Sequence, residues 1–280
     1  MVGNMSYGKD YKFIPITSIE NKQGIEVTND LYQYTTQIVN IVMYGHSKND
    51  FVLIDAGMPN SAQSIIEEVE KRFGPGSHPQ AIVLTHGHFD HVGAIIELIN
   101  YWDVVVYAHP LEIPFLTGKV NYLKPDITVE GGLLAKTSFI LPNTAIDLGN
   151  RIKALPEDYS VPHMSDFQWI HTPGHSPGHV SLFREKDGAL IAGDAFITVK
   201  QDYLYQVLTQ QKKIYGPPRY FTTDWESAFD SIKKLESIQP KIAITGHGLP
   251  MKGKELTKNL NYLVNNFDDI ALPKHGKYLE

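Results

Sequence analysis

Two short runs, VLTHGH at residues 83–88 and AITGHG at 243–248, share one design: an apolar strand that ends in threonine and opens into glycine and histidine. A chain that builds this twice delivers imidazole from strand ends into loops in both of its halves. In α/β folds such loops carry the chemistry, because a rigid sheet holds them while their backbone bends round a ligand. The flanking pattern agrees. TQIVNIVMY (36–44) and DFVLIDAGM (50–58) read as paired strands across the turn-rich GHSKND. SAQSIIEEVEKRF (61–73) reads as a helix with Asn60 as its cap, Gln63 three residues later, an apolar stripe of Ile65, Ile66, Val69 and Phe73, and Gly74 as its stop. The strand AIVLT, the helix VGAIIELINYW and the strand DVVVYA follow. In the second half TDWE (223–226) fits a capping box before a helix carrying Ala228, Ile232, Leu235 and Ile238, and KIAIT is a strand. Short strands alternating with amphipathic helices predict α/β layers.

Composition narrows the function. A chain of 280 residues with 42% hydrophobic content can bury a sizeable core. Its net charge of -6 and the lack of a basic run argue against nucleic acid as a partner and favour a small-molecule substrate. With no cysteine, disulfides, thiolate ligands and thiol nucleophiles are excluded. No stretch approaches 18 apolar residues, so no membrane association is expected and a cytoplasmic protein is.

Within THGHFDH (85–91) stand three histidines and an aspartate. Isolated histidines such as His46, His78 and His163 read as surface or hydrogen-bonded side chains. The cluster is different, since crowding and desolvating so many polar groups costs free energy that a structural role seldom requires. Metal coordination offsets that cost, because neutral imidazole nitrogen and carboxylate oxygen are good ligands for zinc and similar divalent ions. Gly87 gives the backbone room to bend between ligands.

These residues resemble a known family. HGHFDH (His86, His88, Asp90, His91), TPGHSPGH with His175, AGD with Asp194, TGHG with His247 and LIDAG with Asp55 are similar, in order, to the successive motifs of the metallo-β-lactamase-fold hydrolases, over about residues 37 to 250. The resemblance implies a four-layer αβ/βα sandwich of two related halves, read here as a single domain over 1–280. It assigns His86, His88 and His175 to one metal ion and Asp90, His91 and His247 to a second, with Asp194 bridging and Asp90 also catalytic. Asp55 and His179 are implied as supporting partners of the ligands. The ions expected are two divalent metals, zinc first, with iron or manganese able to occupy the same ligands. The implied reaction is hydrolysis by a hydroxide held between the ions.

The substrate is less legible. The long interval between His91 and His175 implies an inserted, pocket-covering region at about 110–165. Phe115, Tyr122 and Phe139 within it, and Phe196, Tyr203 and Tyr220 after the bridging aspartate, are candidate pocket residues. The competing use of these aromatics is ordinary core or a homodimer contact. TPGHSPGH and its spacing to Asp194 look most like the lactonase and glyoxalase II-like groups, which attack an ester, lactone or thioester. Two departures stand out. Ile197 occupies the position where acyl-homoserine lactonases carry tyrosine, and no arginine follows His247 in the region where glyoxalase II grips glutathione. The alternatives are a phosphodiesterase or organophosphate hydrolase on the same ions, an iron-dependent enzyme like the persulfide dioxygenases, and a non-catalytic module.

Overall fold

A computed structural model describes residues 5–200, 204–210 and 212–279. The chain divides into two compact units, residues 1–122 with 142–165 and residues 123–141 with 166–280. Each is built on one sheet, giving a mixed α/β protein with two multi-stranded sheets. Among the described residues no helix is long and apolar enough to cross a membrane.

Among the described residues the first unit holds seven strands in the order of the chain: β1 (Gly24–Glu26), β2 (Leu31–Thr36), β3 (Val39–Ser47), β4 (Asp50–Ile54), β5 (Ala81–Val83), β6 (Val106–Ala108) and β7 (Ile152–Ala154). β1 to β4 form an antiparallel meander, and β4 to β7 pair in parallel. Parallel neighbours need a crossover, and the helices α1 (Ala62–Phe73) and α2 (Ile95–Trp102) provide it between β4 and β5 and between β5 and β6. β5 is buried along its whole length, as expected of a central parallel strand. Ile65 and Val69 of α1 and Leu98 and Ile99 of α2 pack with Leu53 and Ile82 of the sheet into one apolar core. The short helix α3 (Ile113–Leu116) follows β6.

The second unit holds a short helix α4 (Leu133–Thr137) and five strands, β8 (Gln168–His171), β9 (Val180–Arg184), β10 (Ala189–Gly193), β11 (Ile242–Thr245) and β12 (Met251–Lys252), in the sheet order β12-β11-β10-β9-β8. Among the described residues of this unit only β10 and β11 pair in parallel. α5 (Leu204–Thr209) and α6 (Trp225–Ser237) lie between them in sequence, and α7 (Gly253–Asn265) and α8 (Phe267–Ile270) close the chain. Ile232 and Leu235 of α6 pack with Leu256, Leu260 and Leu263 of α7 over Leu190 and Ala243 of the sheet.

Several local expectations shift. The strand predicted from Thr36 begins at Val39, because Gln37 takes a left-handed φ of 56° in a tight hairpin pairing Thr36 with Val39, and β2 before it went unread. Asn60 does not cap α1. It is left-handed, the cap position falls on Ser61, and the Ser61 hydroxyl donates to the Met58 carbonyl instead. The Gln63 amide donates to Glu67 rather than serving the cap. α6 is capped one residue later than read: the Asp224 carboxylate accepts the Ser227 N–H at 2.9 Å. Residues 152–154, read as part of the inserted region, add an edge strand to the first sheet.

Residues 123–141 are fastened to the C-terminal tail. Asp126 accepts the Lys277 N–H, and Glu130 accepts the Lys274 N–H at 2.7 Å and faces Arg219. Burial pushes both carboxyls up. The Thr128 hydroxyl and N–H on Asp126, and the Lys274 N–H and Arg219 charge on Glu130, outweigh it, so both lie below the ordinary carboxylate range. Groups with lowered pKa stabilise this clasp above the unfolded-state carboxylate range and lose that contribution as pH falls through their own values. Carboxyl-carbon resonances of Asp126 and Glu130, followed through a pH titration, should therefore show midpoints below the model carboxylate values of about 4. Midpoints at or above those values would contradict the assignment.

Candidate metal centre

The first unit places its cluster at the carboxyl ends of three adjacent parallel strands. β4 runs into Asp55, β5 into Thr85 to His91, and β6 into His109 and Glu112. Parallel strands point their ends the same way, so side chains far apart in sequence converge on one edge. His86, His88, Asp90 and His91 are all buried. Donor atoms of His86 come within 4.8 Å of those of His88 and His91, and those of Asp90 come within the same distance of His91.

Asp55 organises this edge. Its carboxylate accepts the Thr85 N–H and the Thr85 hydroxyl, each at 2.8 Å, and receives His91 Nδ1 at 2.8 Å. An ionised carboxylate only accepts, so His91 carries its proton on Nδ1 and turns the lone pair of Nε2 outward. Thr85 has spent its single proton on Asp55, so its oxygen accepts from His86 Nδ1, 3.1 Å away. One carboxylate thus sets the tautomer of two histidines, leaving both Nε2 atoms as metal donors.

Gly87 separates His86 from His88, and the reason it must be glycine is a close approach rather than an unusual φ. A Cβ there would lie 2.5 Å from the Tyr122 hydroxyl and 2.9 Å from Leu116 Cδ2. Its N–H donates to Oε2 of the fully buried Glu112 at 2.9 Å, and the Tyr122 hydroxyl donates to the same oxygen. Burial and the adjacent Glu112 charge push the Tyr122 phenol well above its usual range, so it keeps its proton.

The second unit uses the same device with different partners. The Thr222 hydroxyl donates to the Pro218 carbonyl at 2.8 Å, so it accepts from His175 Nδ1 at 3.3 Å and leaves Nε2 as the donor atom. His179 accepts the Asp194 N–H on Nε2 at 2.9 Å, which places its proton on Nδ1, facing Thr172 at 2.9 Å. The chain continues through Ser181 to the Ala192 carbonyl, two residues before Asp194. His179 therefore supports Asp194 and has no nitrogen left to bind an ion. Oδ2 of Asp194 lies 3.4 Å from His175 Nε2 and 3.3 Å from His247 Nε2. With His175 in the tautomer that Thr222 imposes, a nitrogen lone pair faces a carboxylate oxygen. That repulsive contact calls for positive charge between the atoms.

The remaining sequence candidates differ in burial and contacts. Tyr122 is buried, stacks on Phe115 with centroids 4.2 Å apart, and turns towards the His88 ring at 4.6 Å. Phe139 is 67% exposed, whereas Phe196 is completely buried in the core of the second unit. Tyr220 is buried against Phe221, and Tyr203 lies outside the described residues. His46, His78 and His163 are exposed. Sequence reading missed Thr85, Glu112, Thr172 and Thr222 as partners of the site. Thr85 and Thr172 had a signal, each being the first residue of a histidine motif, while Glu112 and Thr222 reach their partners across 25 and 47 residues.

Comparison with known proteins agrees with this geometry. Residues 34–247 match the family model of the metallo-beta-lactamase superfamily. This chain belongs to that superfamily. It is 46% identical over 260 residues to the probable metallo-hydrolase YflN of Bacillus subtilis, covering 92% of this chain and 98% of that protein. It is 26% identical over 211 residues to the hydroxyacylglutathione hydrolase GloC of Haemophilus influenzae, covering 75% and 85% of the two chains. Among solved structures, the subclass B3 metallo-beta-lactamase BJP-1 of Bradyrhizobium japonicum shares its fold with a TM-score of 0.59 at 20% identity, covering 93% of this chain and 95% of that one. The protein is a metallo-hydrolase of this superfamily.

Its donor set fits divalent metal ions. Imidazole nitrogens with preset lone pairs and buried carboxylate oxygens suit zinc, iron or manganese, and none of these ions requires a thiolate. Asp55→Asn should weaken metal binding by about 10- to 100-fold, the usual effect of losing an outer partner of a ligand, with the circular dichroism spectrum retained. Chelator competition measures it, and an affinity within about twofold of wild type would contradict the tautomer argument.

Proposed function

We propose that the two half-sets, His86, His88, Asp90 and His91 with His175, Asp194 and His247, hold two divalent ions, zinc in the purified protein, and that the enzyme hydrolyses a small acyl ester, lactone or thioester. The observation that carries this reading is the Asp194 oxygen set at near-equal distance from the Nε2 atoms of His175 and His247. An oxygen shared in this way is suited to serve two ions. Bound ions supply Lewis acidity and lower the pKa of a coordinated water towards neutrality.

The protein's own groups do the rest. Asp55 and Thr85 keep His86 and His91 in the Nδ1–H form, and Thr222 does so for His175, so no histidine must lose a proton for its Nε2 to coordinate. Asp90 offers the carboxylate that takes up a proton and returns it to the leaving group. Burial of the whole ligand set excludes bulk water and strengthens each of these interactions. Kinship with a hydroxyacylglutathione hydrolase, whose name denotes a thioester substrate, supports acyl rather than phosphoryl transfer. Ile197 marks a difference from the acyl-homoserine lactonases: it is 1% exposed and paired through its backbone with Tyr215, so it offers no hydroxyl to a substrate.

Proton release from metal-loaded protein, tested on a panel of lactones, thioesters and phosphodiesters with a chelated control, checks the proposal. Turnover of an acyl substrate that stops on chelation is expected, and Asp194→Ala should lose metal and turnover together. Turnover of phosphodiesters alone would replace the acyl reading with the phosphodiesterase one, and an Asp194→Ala variant that keeps two ions and normal turnover would refute the shared carboxylate.

A further inference from the structure

The buried pair Glu112 and Tyr122 belongs to neither half-set of ligands, yet it grips the backbone between two of them. We propose that Glu112 and Tyr122 form a clamp on Gly87 that sets the spacing of His86 and His88, and so controls the affinity of one ion independently of the other. This rests on the two-ion reading above.

Three observations carry it. First, Glu112 is fully buried and spends one oxygen on two donors, the Gly87 N–H at 2.9 Å and the Tyr122 hydroxyl. A hydrogen bond from a backbone N–H to a buried carboxylate is charge-assisted and roughly twice as strong as a neutral one, so it fixes the peptide plane between the two histidines. Second, the clamp closes from both sides. Glu112 draws the Gly87 N–H towards it, while the Tyr122 hydroxyl and Leu116 occupy the space that a side chain would need, so the peptide cannot shift towards them. Third, Tyr122 is itself anchored. Its N–H donates to the Asn143 carbonyl and its own carbonyl accepts from the Asn143 amide, both at 3.0 Å, and Phe115 stacks on its ring. The other edge of that ring meets His88 at 4.6 Å.

The division of labour is the informative part. The Asp55 network reaches His86 through Thr85 and His91 directly. The Glu112 network reaches Gly87 and His88. Loosening the clamp therefore acts on the ion that needs His86 and His88 together, and leaves Asp90 and His91 on their own support. Glu112 and Tyr122 are positioning residues: they act through the backbone and the imidazole ring, not on substrate.

Tyr122→Phe removes one hydroxyl and keeps the ring packing, and Glu112→Gln keeps the size of the side chain while removing its charge. Apoprotein of each is titrated with cobalt(II) and with zinc against a chelator, the cobalt visible spectrum reporting coordination geometry and a thermal melt of the apoprotein reporting the fold. In both variants one equivalent should weaken by about 10- to 100-fold, with an altered cobalt spectrum, while the other stays within about threefold of wild type. The double variant should add little to Glu112→Gln, because both residues act through one oxygen. Two unchanged equivalents in Tyr122→Phe and Glu112→Gln, or two equally weakened ones, would overturn the clamp. If Glu112→Gln fails to fold, Tyr122→Phe alone decides. Metal binding is read without turnover, so a wild type that binds two ions but hydrolyses no acyl substrate overturns the substrate reading and leaves the clamp, whereas one that binds fewer than two overturns both.

Discussion

The Asp55 carboxylate is the interaction on which the first half of the metal centre depends. It is buried at the end of β4 in a left-handed conformation with φ 63°, and it collects three donors at 2.8 Å: an N–H, a hydroxyl and an imidazole N–H. Burying an ionised carboxylate is costly unless it is well hydrogen-bonded. Here the same bonds that offset that cost also fix which nitrogen of His86 and His91 carries the proton. Electrostatic compensation and ligand preparation are one arrangement, so neither can be altered without the other.

In the second unit neutral hydroxyls stand behind His175 and His179. Hydroxyls do the work, each with its proton committed to a carbonyl or another hydroxyl: Thr222 to Pro218 and, through Thr172 and Ser181, the His179 chain to Ala192. A hydroxyl whose proton is already spent can only accept, and this makes a neutral group as decisive about tautomer as a charged one. The negative charge of this unit's ligand set is thereby concentrated on Asp194, where two Nε2 atoms converge on one oxygen. The fold supplies the matching stage, since Asp194 and His247 follow the ends of β10 and β11, the parallel pair of that sheet, as His86 and Asp55 follow β5 and β4.

What was legible in the sequence was local. The histidine motifs, the strands that carry them and the helices between those strands are each encoded within a dozen residues, and the family signature rests on them. Pairing and contact are not local. The strand β2 went unread because its residues Leu31–Thr36 are almost all buried on both faces and show no alternation. The cap of α1 failed because Asn60 adopts a left-handed backbone, a choice made by the turn before the helix. Glu112 carried no pattern at all, since its partner Gly87 is 25 residues away. Phe196 read as an aromatic near the ligands, and only the packing around Ala192 and Trp225 places it wholly inside the core. In the sequence Gly87 suggests a bend, while its constraint in the structure is the approach of Tyr122 and of Leu116 at the end of α3.

The most direct test of the account is anomalous diffraction from crystals of the metal-loaded enzyme. Two peaks are expected, one within bonding distance of Nε2 of His86 and of His175 together with His88, the other of Nε2 of His91 together with Asp90 and His247, with Asp194 touching both. Ions bound through Nδ1 of His86, His91 or His175, or a single ion that leaves Asp194 uncoordinated, would contradict the claim that the carboxylate and hydroxyl partners prepare these histidines for two metals.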